Sequence, residues 1–293
     1  MRLLIAGGQG QVARALVEVA PSRSEITAFA VGRPALDICQ VATIERALAD
    51  IKPNVVINTA AYTNVDQAES EPERAMALNR DGAGMLAAAA ARRGIPILHL
   101  STDYVFDGAA VRPYVETDAT GPLTVYGRTK LEGEEAVKAA NAKHVILRTA
   151  WVYSPFGRNF VKTILQRARD GQALRIVADQ HGSPTYAPHL VDAMISIGAQ
   201  LCDATGDVWG IYNAAGSGSA TWHDVATAIY DSAGDLKDSI RPAAISTAEY
   251  PTPAKRPAFS ELDCGKLEQT FGLKLPHWRN GVADCVARLS TPA

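Results

Sequence analysis

Tyr126 and Lys130 stand four residues apart in the stretch TVYGRTK, at the start of a segment with helical period. Residues at that spacing share one helix face, so the phenol and the ammonium point the same way. A phenol titrates near 10 and is a poor acid–base partner at neutrality until a nearby cation favours its phenolate. A depression of two to three units corresponds to roughly 3–4 kcal/mol, and Lys130 could supply part of it in a desolvated cleft. The plainer alternative is a surface pair whose ring packs on the lysine stem. A second motif favours chemistry: LHLSTDYVFDG (residues 98–108) puts Ser101 and Thr102 where an apolar run ends. There a Thr102 hydroxyl could hydrogen-bond a carbonyl oxygen while Tyr126 delivers a proton. Alone, Ser-Thr-Asp would equally suit a cap or a turn.

Carbonyl chemistry of this kind needs a hydride carrier, and GGQGQVA (residues 7–13) offers a place for one. The glycines let the backbone approach a pyrophosphate, and the helix that follows turns the positive end of its dipole towards the anion. As a bare pattern the loop would fit any tight turn. Its position between a strand and a helix makes it a dinucleotide site, with Gly7 and Gly10 as contacts. The second strand ends AFAVGRP, with no carboxylate for a ribose hydroxyl. Arg33 stands there instead and can pair with a 2′-phosphate, which favours NADPH and leaves NADH open; a solvated surface arginine is the other reading. Asp37 and Ile38, then Ala60, Ala61 and Tyr62, follow the ends of the next units, at the carboxyl edge where such crevices form.

These residues need a scaffold that brings loop ends together. Short apolar runs (RLLIAG, ITAFAV, NVVINTA, IPILHLS) alternate with helical segments, the signature of repeated βα units around a parallel sheet buried on both faces. The expected fold is α/β: a Rossmann-type doubly wound sheet with a smaller, interleaved C-terminal substrate lobe. Residues 1–152 form the nucleotide-binding part, with a returning segment around 184–203, and residues 153–293 mainly the second lobe. The chain has 293 residues and 47% hydrophobic content, enough for a full core. A formal charge of −2 argues against nucleic acid as a partner. No apolar run is long enough to span a membrane and no cleavage pattern opens the chain, so a cytoplasmic protein is expected. The four cysteines lack CxxC spacing and the six histidines are dispersed, so no metal site is expected.

The glycine loop, STDYVF and YGRTK together resemble the extended short-chain dehydrogenase/reductase superfamily. Within it, eight segments in order, among them NTAAYTNVDQAESEPE, LRTAWVYSPFGRNFVKT, DQHGSPT and YPTPAKRPAFSELD, are similar to the dTDP-4-dehydrorhamnose reductase family nearly end to end. That resemblance implies NAD(P)H-dependent reduction of the C4 keto group of a dTDP-deoxyhexose, giving dTDP-L-rhamnose. It implies Tyr126 as proton donor, Lys130 as its activator and anchor of the nicotinamide ribose, and Thr102 as the carbonyl-orienting hydroxyl. Gly10, Gln11 and Val12 would hold the cofactor, beside Ala60, Ala61 and Tyr62. Thr102, Asp103 and Trp151 would meet the hexose, although Trp151 could instead be an inter-lobe core aromatic. Asn159, Asp179, Gln180 and Arg256 are further substrate candidates, Arg256 because its fork suits a diphosphate.

Some members of the family dimerise through magnesium-bound glutamates, one of them on the first helix. Here Arg14 and Ala15 occupy that stretch and the nearest acid is Glu18, so a magnesium-bridged dimer is not expected, and a monomer or another homodimer is. Two alternatives stay open. Another sugar-nucleotide ketoreductase or epimerase would share the Tyr–Lys pair; a dehydratase would follow its threonine with Asp–Glu, where this chain has Asp103 and Tyr104. A non-catalytic nucleotide-binding subunit, like that of methionine adenosyltransferase, would need a protein partner.

Overall fold

A computed structural model describes all residues except 203, 205, 237, 238, 292 and 293. Its centre is a six-stranded parallel sheet of β1 (Arg2–Ala6), β2 (Thr27–Val31), β3 (Val55–Asn58), β4 (Ile97–Thr102), β5 (His144–Thr149) and the strand Gly210–Asn213. In space the order is Gly210–Asn213, β5, β4, β3, β1, β2. Leu3, Leu4, Ile5 and Ala6 of β1 are all fully buried, as a strand covered on both faces requires. Leu3 and Ile5 pack with Val12 and Leu16 of helix Gln11–Val19 and with Leu190 and Met194 of helix Ala187–Cys202. Leu4 and Ala6 face the other way, onto Ile44 and Leu48 of Val41–Ile51 and Leu86 of Ala83–Ala91. Two layers of helices thus sandwich the sheet, which is the expected doubly wound α/β fold.

The chain runs outward from β1 to β2 and then returns to the other side of β1 as β3. This reversal opens a crevice beyond the carboxyl ends of β1 and β3. Gly7 sits at its lip with φ of 103°, and a Cβ there would lie 2.8 Å from the Ala60 backbone nitrogen. Glycine is therefore dictated twice, by the backbone angle and by the close approach of the β3 loop.

The second lobe is built from helices Phe160–Arg169, Trp222–Ser232 and Trp278–Ser290, which share a core of Val161, Ile164, Val225, Ile229, Val282 and Val286. A capping box starts the middle helix: Thr221 Oγ1 accepts from the Asp224 N–H, and the Asp224 carboxylate accepts from the Thr221 N–H. The chain crosses back more often than one return around 184–203. Strand Gly210–Asn213 extends the main sheet beside β5, and Leu267, Phe271 and Leu275 join its core. These pieces are short, and a four-residue edge strand carries too little periodicity to be read from sequence.

Candidate active site

Helix Val125–Ala140 carries the tyrosine and the lysine. Thr124 caps it by accepting from the Gly127 N–H at 3.0 Å. Gly127 has no alternative, because a Cβ would fall 2.2 Å from the Tyr104 carbonyl oxygen. That contact seats the helix start against the turn after β4 and brings Tyr126 edge-on to Tyr104, ring centroids 5.6 Å apart. Thr102, the last residue of β4, reaches the same point. Its oxygen accepts from the Tyr104 N–H at 3.2 Å, and its hydroxyl donates to Asp103 Oδ1 at 3.0 Å.

The titration of the pair departs from expectation. Burial pushes the Tyr126 phenol up to about 12; its hydrogen bond with Thr102 works against the rise, and the Asp103 carboxylate adds to it. Lys130 is tied to strand β4. Its Nζ donates to the Leu100 carbonyl at 2.6 Å and lies 3.4 Å from His99 Nε2, and desolvation lowers its own pKa to about 8 against an opposing pull from Glu134. Dehydration outweighs the Thr102 hydrogen bond at Tyr126 and the pull of Glu134 at Lys130, so a protonated phenol shares the helix face with a lysine near its titration point.

One groove of about 880 Å³ joins these residues to the glycine loop. Gly7, Gly10, Gln11, Val12, Arg33, Asp37, Ile38, Ala60 and Ala61 line it together with Thr102, Asp103, Tyr126, Lys130, Trp151 and Asn159. Tyr62 lines an adjoining cavity of about 470 Å³ together with Arg33, Asp37 and Arg74. The glycine-walled lip, the crevice at the sheet reversal and an exposed arginine at the far end fit a dinucleotide phosphate. Among the described residues no group of three His, Cys, Asp or Glu could hold a metal ion. Glu18 is engaged by both guanidinium nitrogens of Arg288, at 2.6 and 2.9 Å.

Several residues nominated for the substrate have partners within the protein. Asn159 lines the groove, but its Nδ2 donates to Gln11 Oε1 and the Ser154 carbonyl while its Oδ1 caps helix Phe160–Arg169. It fastens the second lobe to the glycine-loop helix. Both Asp103 oxygens are taken, by Thr102 and by Ser260 Oγ at 2.6 Å, which makes the residue a buried tie between lobes; burial raises its pKa to about 6. Asp179, Gln180 and Arg256 stand outside the groove lining. Asp179 binds Thr247, and Gln180 supports Trp222 by accepting from its Nε1 at 3.2 Å. The Arg256 fork holds Asp66 at 2.9 Å through both nitrogens, so an acid from the first lobe occupies the donors nominated for a diphosphate. Trp151 does face the groove. Its φ of 47° is strained for a tryptophan, and it stacks on Trp222 with centroids 3.6 Å apart.

Other positioning residues escaped the sequence reading. Asn79, within a π-helical turn at Ala77–Gly82, accepts from the Tyr62 N–H at 2.7 Å and donates to Thr129 on the catalytic helix at 2.9 Å. Glu134 and Arg148, both buried, form a bidentate pair at 2.7 and 2.9 Å behind Lys130. The available signal was a lone polar residue in an otherwise apolar strand: His99 in ILHL and Arg148 in VILRT.

Fold and site together define a Rossmann-type oxidoreductase whose groove is lined by Tyr126, Lys130 and Thr102. The profile of the RmlD substrate binding domain family matches residues 1–291, and the chain belongs to that family. It is 48% identical to a dTDP-4-dehydrorhamnose reductase of Sinorhizobium fredii, over 98% of this chain and 97% of that one. It is 39% identical to a probable dTDP-4,6-dihydroxy-2-methyloxan-3-one 4-ketoreductase of Streptomyces antibioticus, over 97% and 94%. Among solved structures, a dTDP-4-dehydrorhamnose reductase of Bacillus anthracis in complex with NADP superimposes with a TM-score of 0.89 at 31% identity, covering 98% of this chain and 99% of that one.

Proposed function

We propose that this protein reduces the C4 keto group of dTDP-4-dehydro-L-rhamnose to give dTDP-L-rhamnose, using NADPH in preference to NADH. The observation that carries the reading is the convergence of Thr102, Tyr126 and Lys130 on one groove with the glycine loop, in a chain so similar to reductases of this substrate. The nicotinamide, when bound, supplies the hydride. Gly7, Gly10, Gln11 and Val12 take the pyrophosphate, and Arg33 at the rim takes the 2′-phosphate. Tyr126 donates its proton to the C4 oxygen as the alkoxide develops, and a phenol that stays protonated to about 12 is in the form a donor requires. Lys130 holds the nicotinamide ribose and restores the phenol proton. Thr102 orients the carbonyl, in competition with Asp103 for its own proton. Trp151 offers an aromatic wall to the hexose. No step here needs magnesium. The protein works in the cytoplasm, as a monomer or a homodimer without a magnesium bridge.

The Streptomyces relative favours a second reading, a 4-ketoreductase for another dTDP-deoxysugar. Oxidation of NADPH and NADH with enzymatically generated dTDP-4-dehydro-L-rhamnose, followed by identification of the product, separates the cases. Rapid oxidation yielding dTDP-L-rhamnose is expected. Oxidation only with other 4-keto sugars selects the second reading, and cofactor binding with no oxidation points to a regulatory subunit.

A further inference from the structure

The Ala60 backbone N–H needs an acceptor and finds Asn58 Oδ1 at 3.1 Å. That bond fixes which way the Asn58 amide faces, so its NH2 points at His99 Nδ1, 3.0 Å away. A donor opposite Nδ1 requires a lone pair there, which leaves the single proton of a neutral imidazole on Nε2. His99 is only 1% exposed, and burial together with Lys130 holds its pKa well below the ordinary histidine value. Nε2 lies 3.4 Å from Lys130 Nζ. An N–H aimed at an ammonium is repulsive, whereas the same N–H aimed at a neutral amine is a hydrogen bond.

We propose that His99 is a positioning residue for the reaction: with its tautomer fixed by Asn58, it presents an N–H to Lys130 Nζ and favours the neutral amine. The inference rests on the catalytic reading of Lys130 and Tyr126 given above. The other charges around Lys130 have partners of their own, and Glu134 alone among them pulls towards the ammonium. On its own helix, Tyr126 stays a neutral phenol, and Glu134 is engaged by Arg148 of β5 and Ser101 of β4. Asp103, beyond β4, is engaged by Thr102 and Ser260. Among the described residues no carboxylate forms an ion pair with Lys130. Lys130 can therefore give up a proton from Nζ when the Tyr126 phenolate is reprotonated after each turnover, become an amine held by the Nε2–H, and recover its proton from water.

Long-range 1H–15N correlation spectra of histidine-labelled protein read the tautomer directly, with the His99 signals identified by their loss in His99→Gln. A protonated Nε2 and a bare Nδ1 between pH 6 and 9 are expected; a protonated Nδ1 or an imidazolium overturns the proposal. In Asn58→Asp the carboxylate accepts from both Ala60 and His99, so the proton should move to Nδ1. His99→Gln can turn its amide oxygen to the ammonium, and the alkaline limb of kcat with dTDP-4-dehydro-L-rhamnose should rise by about one pH unit, a tenfold change in proton affinity. A lower kcat with an unmoved limb would mean a merely structural histidine. Turnover that survives Lys130→Met removes the catalytic reading itself, whereas a wrong tautomer beside an inactive Lys130→Met removes this proposal alone.

Discussion

Lys130 and Arg148 are both buried bases close to Glu134, yet they are treated in opposite ways. Arg148 meets Glu134 through two short bonds, and Ser101 donates to the same carboxylate, so every charge in that cluster has a partner. Lys130, one turn earlier on the helix that carries Glu134, has a carbonyl and an imidazole and no carboxylate. The paired cluster holds β4, β5 and the helix in register. The unpaired one sits near its titration point, where small changes in surroundings move a proton. A buried charge that must stay put is neutralised; one that must change state is left without a counter-ion.

The contrast can be broken from either side. The largest effect belongs to the proton-transfer side: Tyr126→Phe should lower kcat by about a thousandfold while NADPH still binds, since the general acid is lost and the glycine loop is untouched. Stopped-flow turnover with a parallel fluorescence titration checks both halves. On the structural side, Arg148→Met strands the Glu134 carboxylate and should cost about 3–5 kcal/mol in urea unfolding. Pairing it with Glu134→Leu should recover much of that loss.

A third variant tests the tie between lobes. The folded Asp103 titrates at about 6, above the roughly 3.9 of an unfolded aspartate, so its contribution is fully present below about pH 4 and is lost as pH rises through 6. Asp103→Asn should flatten that slope and gain up to about 3 kcal/mol at pH 8, read from denaturation midpoints across the range. The smallest effect lies at the exposed rim. Arg33→Ala should raise the KM for NADPH about tenfold and leave the KM for NADH nearly unchanged, with stability altered by less than about 0.5 kcal/mol. Equal changes for both cofactors would free Arg33 from the 2′-phosphate.

Legibility followed range along the chain. The glycine loop, the Tyr126–Lys130 spacing and the end of β4 are local patterns, and the structure gathers all of them around one groove. The nominations that proved tied to other protein groups rested on single residues with distant partners. The partner of Arg256, Asp66, is 190 residues away, and Ser260, which binds Asp103, is 157 away, so neither tie is visible in a local pattern. Likewise, no pattern near His99 announces that Asn58 and Lys130 converge on its two ring nitrogens.

By itself the sequence determined the alternating elements, the loop that only glycine can line and the helix face shared by phenol and amine, because each depends on backbone angles and spacing within a few residues. Tertiary structure alone decided which charges are paired, which hydroxyl proton is already claimed and in which direction Tyr126 and Lys130 titrate. Those properties depend on dehydration and on partners brought in from distant strands, and neither exists until the sheet has closed over the site.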